Sequence, residues 1–192
     1  KGKVQQKLRD KYAINKNFVM YTGGMDWRKN IEGLIEAFSL LPDKLRENKQ
    51  LVIVCAITTA ERMQYKVIVK LLGLSLADVI FTGFVPEDDL VLLYNDCSLF
   101  IFPSIHEGFG LPVLEAISCG TPTICSDRSS LPEIIEIQEA MFDPEDSQSI
   151  AKKMQQAIAD EAFEKRLIAN AKKQAVKFSW SKVAVNTLDM ME

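Results

Sequence analysis

"SLFIFPSIHEGFGLPVLEAISCGTPTICSD", residues 98–127, holds a strand, a loaded loop, a helix and a second strand in succession. The runs 98–104 and 122–127 are short, apolar and bounded by turn residues, the pattern of strands buried inside a sheet. Between them, residues 110–120 carry Pro112 in a first helical turn and Gly120 just past the last one, the start and stop signals of a helix. Two strands joined by such a helix lie parallel, because the chain crosses a face of the sheet to return to the same end. The loop holds Glu107 and then Gly108-Phe109-Gly110, and a second carboxylate, Glu115, follows eight positions after the first. A packed core has no need of that order of groups. A site for sugar and phosphate has.

The alternation continues on both sides. Upstream, "NFVMYTG" (17–23), "QLVIVCAI" (50–57) and "DVIFTGF" (78–84) predict strands, each followed by a helix, at 28–41, 60–74 and 86–97. In the first of those helices Ile31, Leu34, Ile35 and Phe38 share one face, and Pro42 closes it. Downstream, "AMFDP" (140–144) is a weaker sixth strand, and helices are expected at 147–160, 161–178 and 179–191. Residues 1–16 read as a lead-in segment with one short helix, 17–178 as one domain and 179–192 as a terminal helix. Strands alternating with helices predict the α/β class: a single Rossmann-like domain whose open six-stranded parallel sheet has the order 3-2-1-4-5-6 and helices on both faces.

Composition narrows the function classes. With 47% hydrophobic and 26% charged residues the chain is an ordinary globular sequence, and its net charge of -3 argues against nucleic-acid binding through a broad basic surface. No apolar run approaches the roughly 20 residues needed to span a bilayer, and no leader pattern opens the chain. Cys55, Cys97, Cys119 and Cys125 are scattered without a C-x-x-C, which predicts reduced thiols of a cytoplasmic protein and no metal site.

In a sheet of this order the first and fourth strands are neighbours, and ligands bind where the order reverses, outside the C-terminal strand ends. The loop after the first strand is "TGGMDWRKN"; the loop after the fourth is "PSIHEGFG". Gly23 and Gly24 allow a tight turn and close approach of a bulky group. Arg28 and Lys29 are expected at the start of the next helix, opposed to its macrodipole, where a diphosphate would balance them; a solvated surface pair is the plainer alternative. Gly108, Phe109 and Gly110 open a helix whose first N–H groups lack intrahelical partners and can take a phosphate oxygen. Glu115 can accept two hydrogen bonds from a ribose diol, and Glu107 can meet a sugar hydroxyl or developing positive charge. Against these stand an exposed helix glutamate and a carboxylate that merely favours the helix dipole. His106 reads as a loop donor rather than a catalytic base, and Ser130 with Glu133 fits a capping box.

The stretches "HEGFGLPVLEAISCGTPTICSDRSSLPEI" and "YTGGMDWRKNIEGLIEAF" together resemble the signatures of the GT-B retaining glycosyltransferases, specifically family four (glycosyl transferases group 1). "FTGFVPEDDLVLLYNDCSLFIFPS" resembles the segment between them. The resemblance implies that the chain is one half of a GT-B fold, the C-terminal half that binds a nucleotide-sugar donor. It implies roles residue by residue. Glu115 would hold the donor ribose; Glu107 would contact the donor sugar or support transition-state charge. Arg28 and Lys29 would bind the diphosphate as leaving group, and Gly108, Phe109, Gly110 and Leu111 would add to the phosphate site. Gly23 and Gly24 would form the glycine loop, and Val85 would line the base pocket. Many members carry arginine where this chain has Gly24, so phosphate binding would rest more heavily on Arg28 and Lys29.

The implied reaction is hexosyl transfer with retention, mannosyl from GDP-mannose by likeness to bacterial mannosyltransferases, onto a polysaccharide or glycolipid. UDP-linked donors would fit the same motif, and a non-catalytic nucleotide-binding module on this fold is the alternative from another class. The resemblance further implies no cofactor and no metal, an N-terminal acceptor domain as partner, a terminal helix that crosses back onto it, and a cytoplasmic enzyme at the inner face of the membrane. Without that other domain the fragment would turn over little.

Overall fold

The computed structural model of the chain describes residues 2–179; residues 180–192 of the expected terminal helix, Trp180 among them, lie outside the described residues. Six strands form one parallel sheet: β1 (Asn17–Thr22), β2 (Lys49–Val54), β3 (Val79–Phe81), β4 (Leu99–Phe102), β5 (Thr123–Ser126) and β6 (Met141–Phe142). Their order is β3-β2-β1-β4-β5-β6, as the alternating pattern predicts. β1 sits at the reversal, with Val19 beside Leu51 on one side and Leu99 on the other. β2 and β4 are buried along nearly their whole length, which is why these segments read as continuous apolar runs rather than alternating ones.

Nine helices surround the sheet among the described residues: α1 (Gly2–Lys11), α2 (Ile31–Ser39), α3 (Asp43–Arg46), α4 (Thr59–Leu71), α5 (Glu87–Asp96), α6 (Leu111–Ser118), α7 (Leu131–Ile135), α8 (Ser147–Ala159) and α9 (Glu161–Ala175). They pack on both faces, α2 against α8 and α6 against α9. Phe18, Tyr21, Phe38, Tyr94, Phe100, Phe102 and Phe163 fill the core between sheet and helices. α1 lies on α5, where Arg9 pairs with Asp96 at 2.6 Å and Lys11 and Tyr12 both reach Asp89. Among the described residues all four cysteines are free; three are buried and Cys119 is half-buried.

Two local expectations are corrected. The first core helix starts at Ile31, not at residue 28. Trp27–Lys29 form a separate 3₁₀ turn, and Asn30 between the two elements is left-handed at φ 54°, ψ 45°. Arg28 and Lys29 therefore do not oppose the dipole of α2. Asp26 caps their turn instead and accepts from Arg28 at both the backbone N and Nε. The capping box expected at Ser130 and Glu133 also does not form, because the Ser130 hydroxyl is spent on two loop carbonyls. A capping box stands at the start of α4, where Thr58 and Glu61 bond reciprocally.

Candidate functional site

The sheet order brings the exits of β1 and β4 side by side, and the two loops are joined directly. Ile105 N donates to Arg28 O at 2.7 Å. Lys29 Nζ reaches Glu107 Oε1 at 2.6 Å, with the two side chains only 17% and 13% exposed. The same ammonium lies 5.7 Å from the centroid of the buried Phe102 ring. One cation and one carboxylate from residues 78 positions apart thus share a mostly dry corner of the crevice. Arg28, one residue earlier, stays exposed and pairs with Asp26 at 2.8 Å. Desolvation raises the Asp26 carboxyl, but the hydrogen bond and charge of Arg28 outweigh it and hold the group below its ordinary value.

The two glycines of the β1 exit differ. Gly23 has φ +153°, and a Cβ there would lie 2.5 Å from the Tyr21 hydroxyl, so the close approach belongs to the fold itself. Tyr21 stacks on Phe102 and donates to Gly24 O at 2.8 Å; burial pushes its phenol well above the usual range and keeps it a donor. Gly24 has ordinary backbone and room for a side chain.

On the β4 side, Gly110 is the N-cap of α6 at φ +104°, and a Cβ would meet Leu131 Cδ2 at 2.5 Å. Gly108 needs neither: its φ is unexceptional and a Cβ added there would meet nothing within 4 Å. Phe109 and Leu111 are both largely exposed, and Phe109 meets Phe178 edge-on at 6.0 Å. The β5 exit holds this loop in place. Ser130 Oγ donates to Phe109 O at 2.7 Å and Glu107 O at 3.3 Å, while Ser129 Oγ accepts from Glu107 N and meets His106 Nδ1 at 3.0 Å.

Glu115 lies one turn into α6 and is exposed. Its Oε2 accepts from Tyr94 OH at 2.8 Å. Burial, then the charge of Glu115, push the Tyr94 phenol far up, so it remains protonated and fixes that carboxylate. Val85 is buried and lines a cavity of 170 Å³ with Gly23, Cys55 and Leu90 at the exits of β1, β2 and β3. Burial pushes the Cys55 thiol up to about 12, so this wall is uncharged. A larger cavity of 330 Å³ lies elsewhere, between α4 and β3.

The structure therefore brings Lys29 and Glu107 into contact where the exits of β1 and β4 meet and sets Gly23 and Val85 in the wall of one cavity, while Gly110 packs against α7 and Glu115 is held by Tyr94. Sequence reasoning missed Tyr94 and Asp26, whose partners are set by folding, and read Ser130 as a helix cap rather than as the tie to this loop. Among the described residues no three His, Cys, Asp or Glu side chains cluster as a metal site.

A parallel sheet of this order with paired, charge-bearing loops at its reversal is the architecture of one half of a GT-B glycosyltransferase. The chain belongs to the glycosyl transferases group 1 family, whose model matches residues 4–174. It is 45% identical over 179 residues to a serotype-specific mannosyltransferase WbdA of Escherichia coli, covering 93% of this chain and 22% of that protein. It is 34% identical to the O-antigen chain mannosyltransferase B of Escherichia coli, over 90% of this chain and 45% of that one. Among solved structures, sucrose-phosphate synthase from Thermosynechococcus elongatus superposes with a TM-score of 0.82 at 27% identity, over 97% of this chain and 48% of that one. Anabaena HepE in complex with UDP-glucose superposes with a TM-score of 0.84 at 22% identity, over 100% of this chain and 53% of that one, a likeness of fold. The chain thus spans half or less of the curated relatives described here. No helix among the described residues is long and apolar enough to cross a membrane.

Proposed function

We propose that the chain is the nucleotide-sugar donor-binding domain of a retaining hexosyltransferase, which transfers mannosyl from GDP-mannose to a polysaccharide or glycolipid acceptor. The observation that carries this reading is the Lys29–Glu107 pair, held in a crevice at the sheet reversal by loops that hydrogen-bond to each other. Developing negative charge on a leaving diphosphate is stabilised best by donors already in place. Lys29 supplies a fixed ammonium there, Arg28 an exposed guanidinium fork, and the start of α6 the N–H of Leu111, since Pro112 has none and Val113 N already donates to Gly110 O. No metal is called for in this scheme. Glu107, beside Lys29, faces the donor sugar, and Glu115, oriented by Tyr94, receives the ribose hydroxyls. Gly108 supports the reading, since nothing in the fold requires glycine there and close approach of a ligand does. The mannosyltransferase relatives support mannose as the transferred group. Acceptor binding and turnover then belong to a further domain of the same enzyme.

Calorimetric titration with GDP, UDP and ADP tests the reading. GDP is expected to bind, and Glu115→Ala and Lys29→Ala each weaken it by about 1.5–3 kcal/mol, the range for hydrogen bonds to charged groups. Preference for UDP would overturn GDP-mannose as donor. Binding of none of the three would overturn the donor-site assignment.

A further inference from the structure

Away from the strand exits, α4 presents an uncovered side. Met63, Val67 and Leu71 recur every fourth residue and are 64%, 57% and 81% exposed. That spacing sets them in one row along the helix. Lys66 and Lys70 form the adjoining row, both exposed, and no described residue makes an ion pair with either. The one acid of α4, Glu61, is turned back onto Thr58 in the capping box. Beyond the lysines, toward β3, opens the 330 Å³ cavity, with Arg62 and Lys66 in its wall above Leu76, Val79 and Phe81. Arg62 spends Nη1 on Phe81 O, and Lys11, also in the wall, is occupied by Asp89.

An apolar row flanked by unpaired cations, with no free acid on the helix itself, is complementary to one kind of surface. A second copy docked about a two-fold axis would bring the same lysines toward their own counterparts. An anionic bilayer meets both rows at once, because acyl chains and phosphates lie at adjacent depths. The chain as a whole is acidic, at -3, so the cationic face is local to this helix. We propose that the outer side of α4 docks on an anionic membrane surface. Met63, Val67 and Leu71 enter the boundary between headgroups and acyl chains, Lys66 and Lys70 meet lipid phosphates, and the cavity beside Arg62 receives a headgroup. The proposal does not depend on the donor-site assignment, since it uses none of the same residues.

Cosedimentation at low salt with vesicles of equal parts phosphatidylglycerol and phosphatidylcholine, against phosphatidylcholine alone, tests it. The protein is expected to sediment with the anionic vesicles only, and less as salt rises. At about 1 kcal/mol per lysine near the surface, each lysine accounts for about fivefold in partitioning. Lys66→Glu with Lys70→Glu should lower it about 25-fold or more on that scale. Met63→Ser, Val67→Ser and Leu71→Ser together should abolish it while leaving the circular dichroism spectrum and thermal midpoint in place, these side chains being exposed. The proposal is overturned if the wild-type protein stays in the supernatant, if pure phosphatidylcholine serves as well, or if the variants bind like wild type. It is equally overturned if the protein forms a dimer that the serine variants dissolve, which would assign the row to a second copy.

Discussion

At the exits of β4 and β5, side chains tie one loop to the next: Ser130 holds the carbonyls of Glu107 and Phe109, Ser129 the amide of Glu107, and Lys29 reaches across from the exit of β1. At the exits of β2 and β3 the loops leave a cavity between them, with Phe84 79% exposed at its rim and Val85 below. The rims belong to the same sheet and the same order, yet one is stitched and the other open. Fixed charge gains most from being held in advance, since donors that need not reorganise stabilise developing charge at least cost. A flat apolar wall gains little from such stitching. The stitched side is where opposite charges meet; on the open side Arg62 donates to Phe81 O and lies 3.8 Å from where a Gly83 Cβ would stand, and no carboxylate among the described residues pairs with it.

The comparison breaks most visibly at Gly110. Substitution by alanine forces a Cβ into Leu131 at a φ that L-residues avoid, and should cost about 3 kcal/mol in urea denaturation. Gly108→Ala, two residues away in open space, should change stability by less than about 0.5 kcal/mol. If the two cost the same, the stitched loop does not depend on its glycine cap. A smaller effect is expected at the cross-loop pair. Lys29→Met strands the mostly buried Glu107 carboxylate and should cost about 2 kcal/mol, part of which Glu107→Gln restores in the double variant. A strictly additive cycle would show that the contact contributes nothing. Smaller than the cross-loop pair is Ser130→Ala, about 1 kcal/mol for one hydroxyl shared between two loop carbonyls, with faster amide exchange at residues 107–110 and none at 83–85. Equal exchange changes on both rims would erase the distinction.

Much of this was legible in the residues. Short apolar runs, glycine and proline punctuation and helical spacing gave six strands in the observed order, and the spacing of Glu107, Gly108, Gly110 and Glu115 marked the loop that carries charge. The errors were local and share a cause. Asn30, a good N-cap residue by type, adopts the left-handed conformation and splits an apparently continuous helix into a 3₁₀ turn and α2. Ser130 has the sequence neighbours of a capping box, yet a loop from 21 residues away takes its hydroxyl. Where a side chain has two competing partners, local pattern names only the near one.

What the sequence determined by itself is the succession of elements, because burial on both faces of a parallel strand and on one stripe of a helix leaves periodic traces in the chain. Sheet order followed from the rules that govern how such elements connect. Only tertiary structure decided that Lys29 would face Glu107 rather than water, that Tyr94 would hold Glu115, and that Met63, Val67 and Leu71 would remain uncovered. Each of these depends on contacts across long separations, and a side chain's type fixes what it can bond but not which distant partner folding brings within reach.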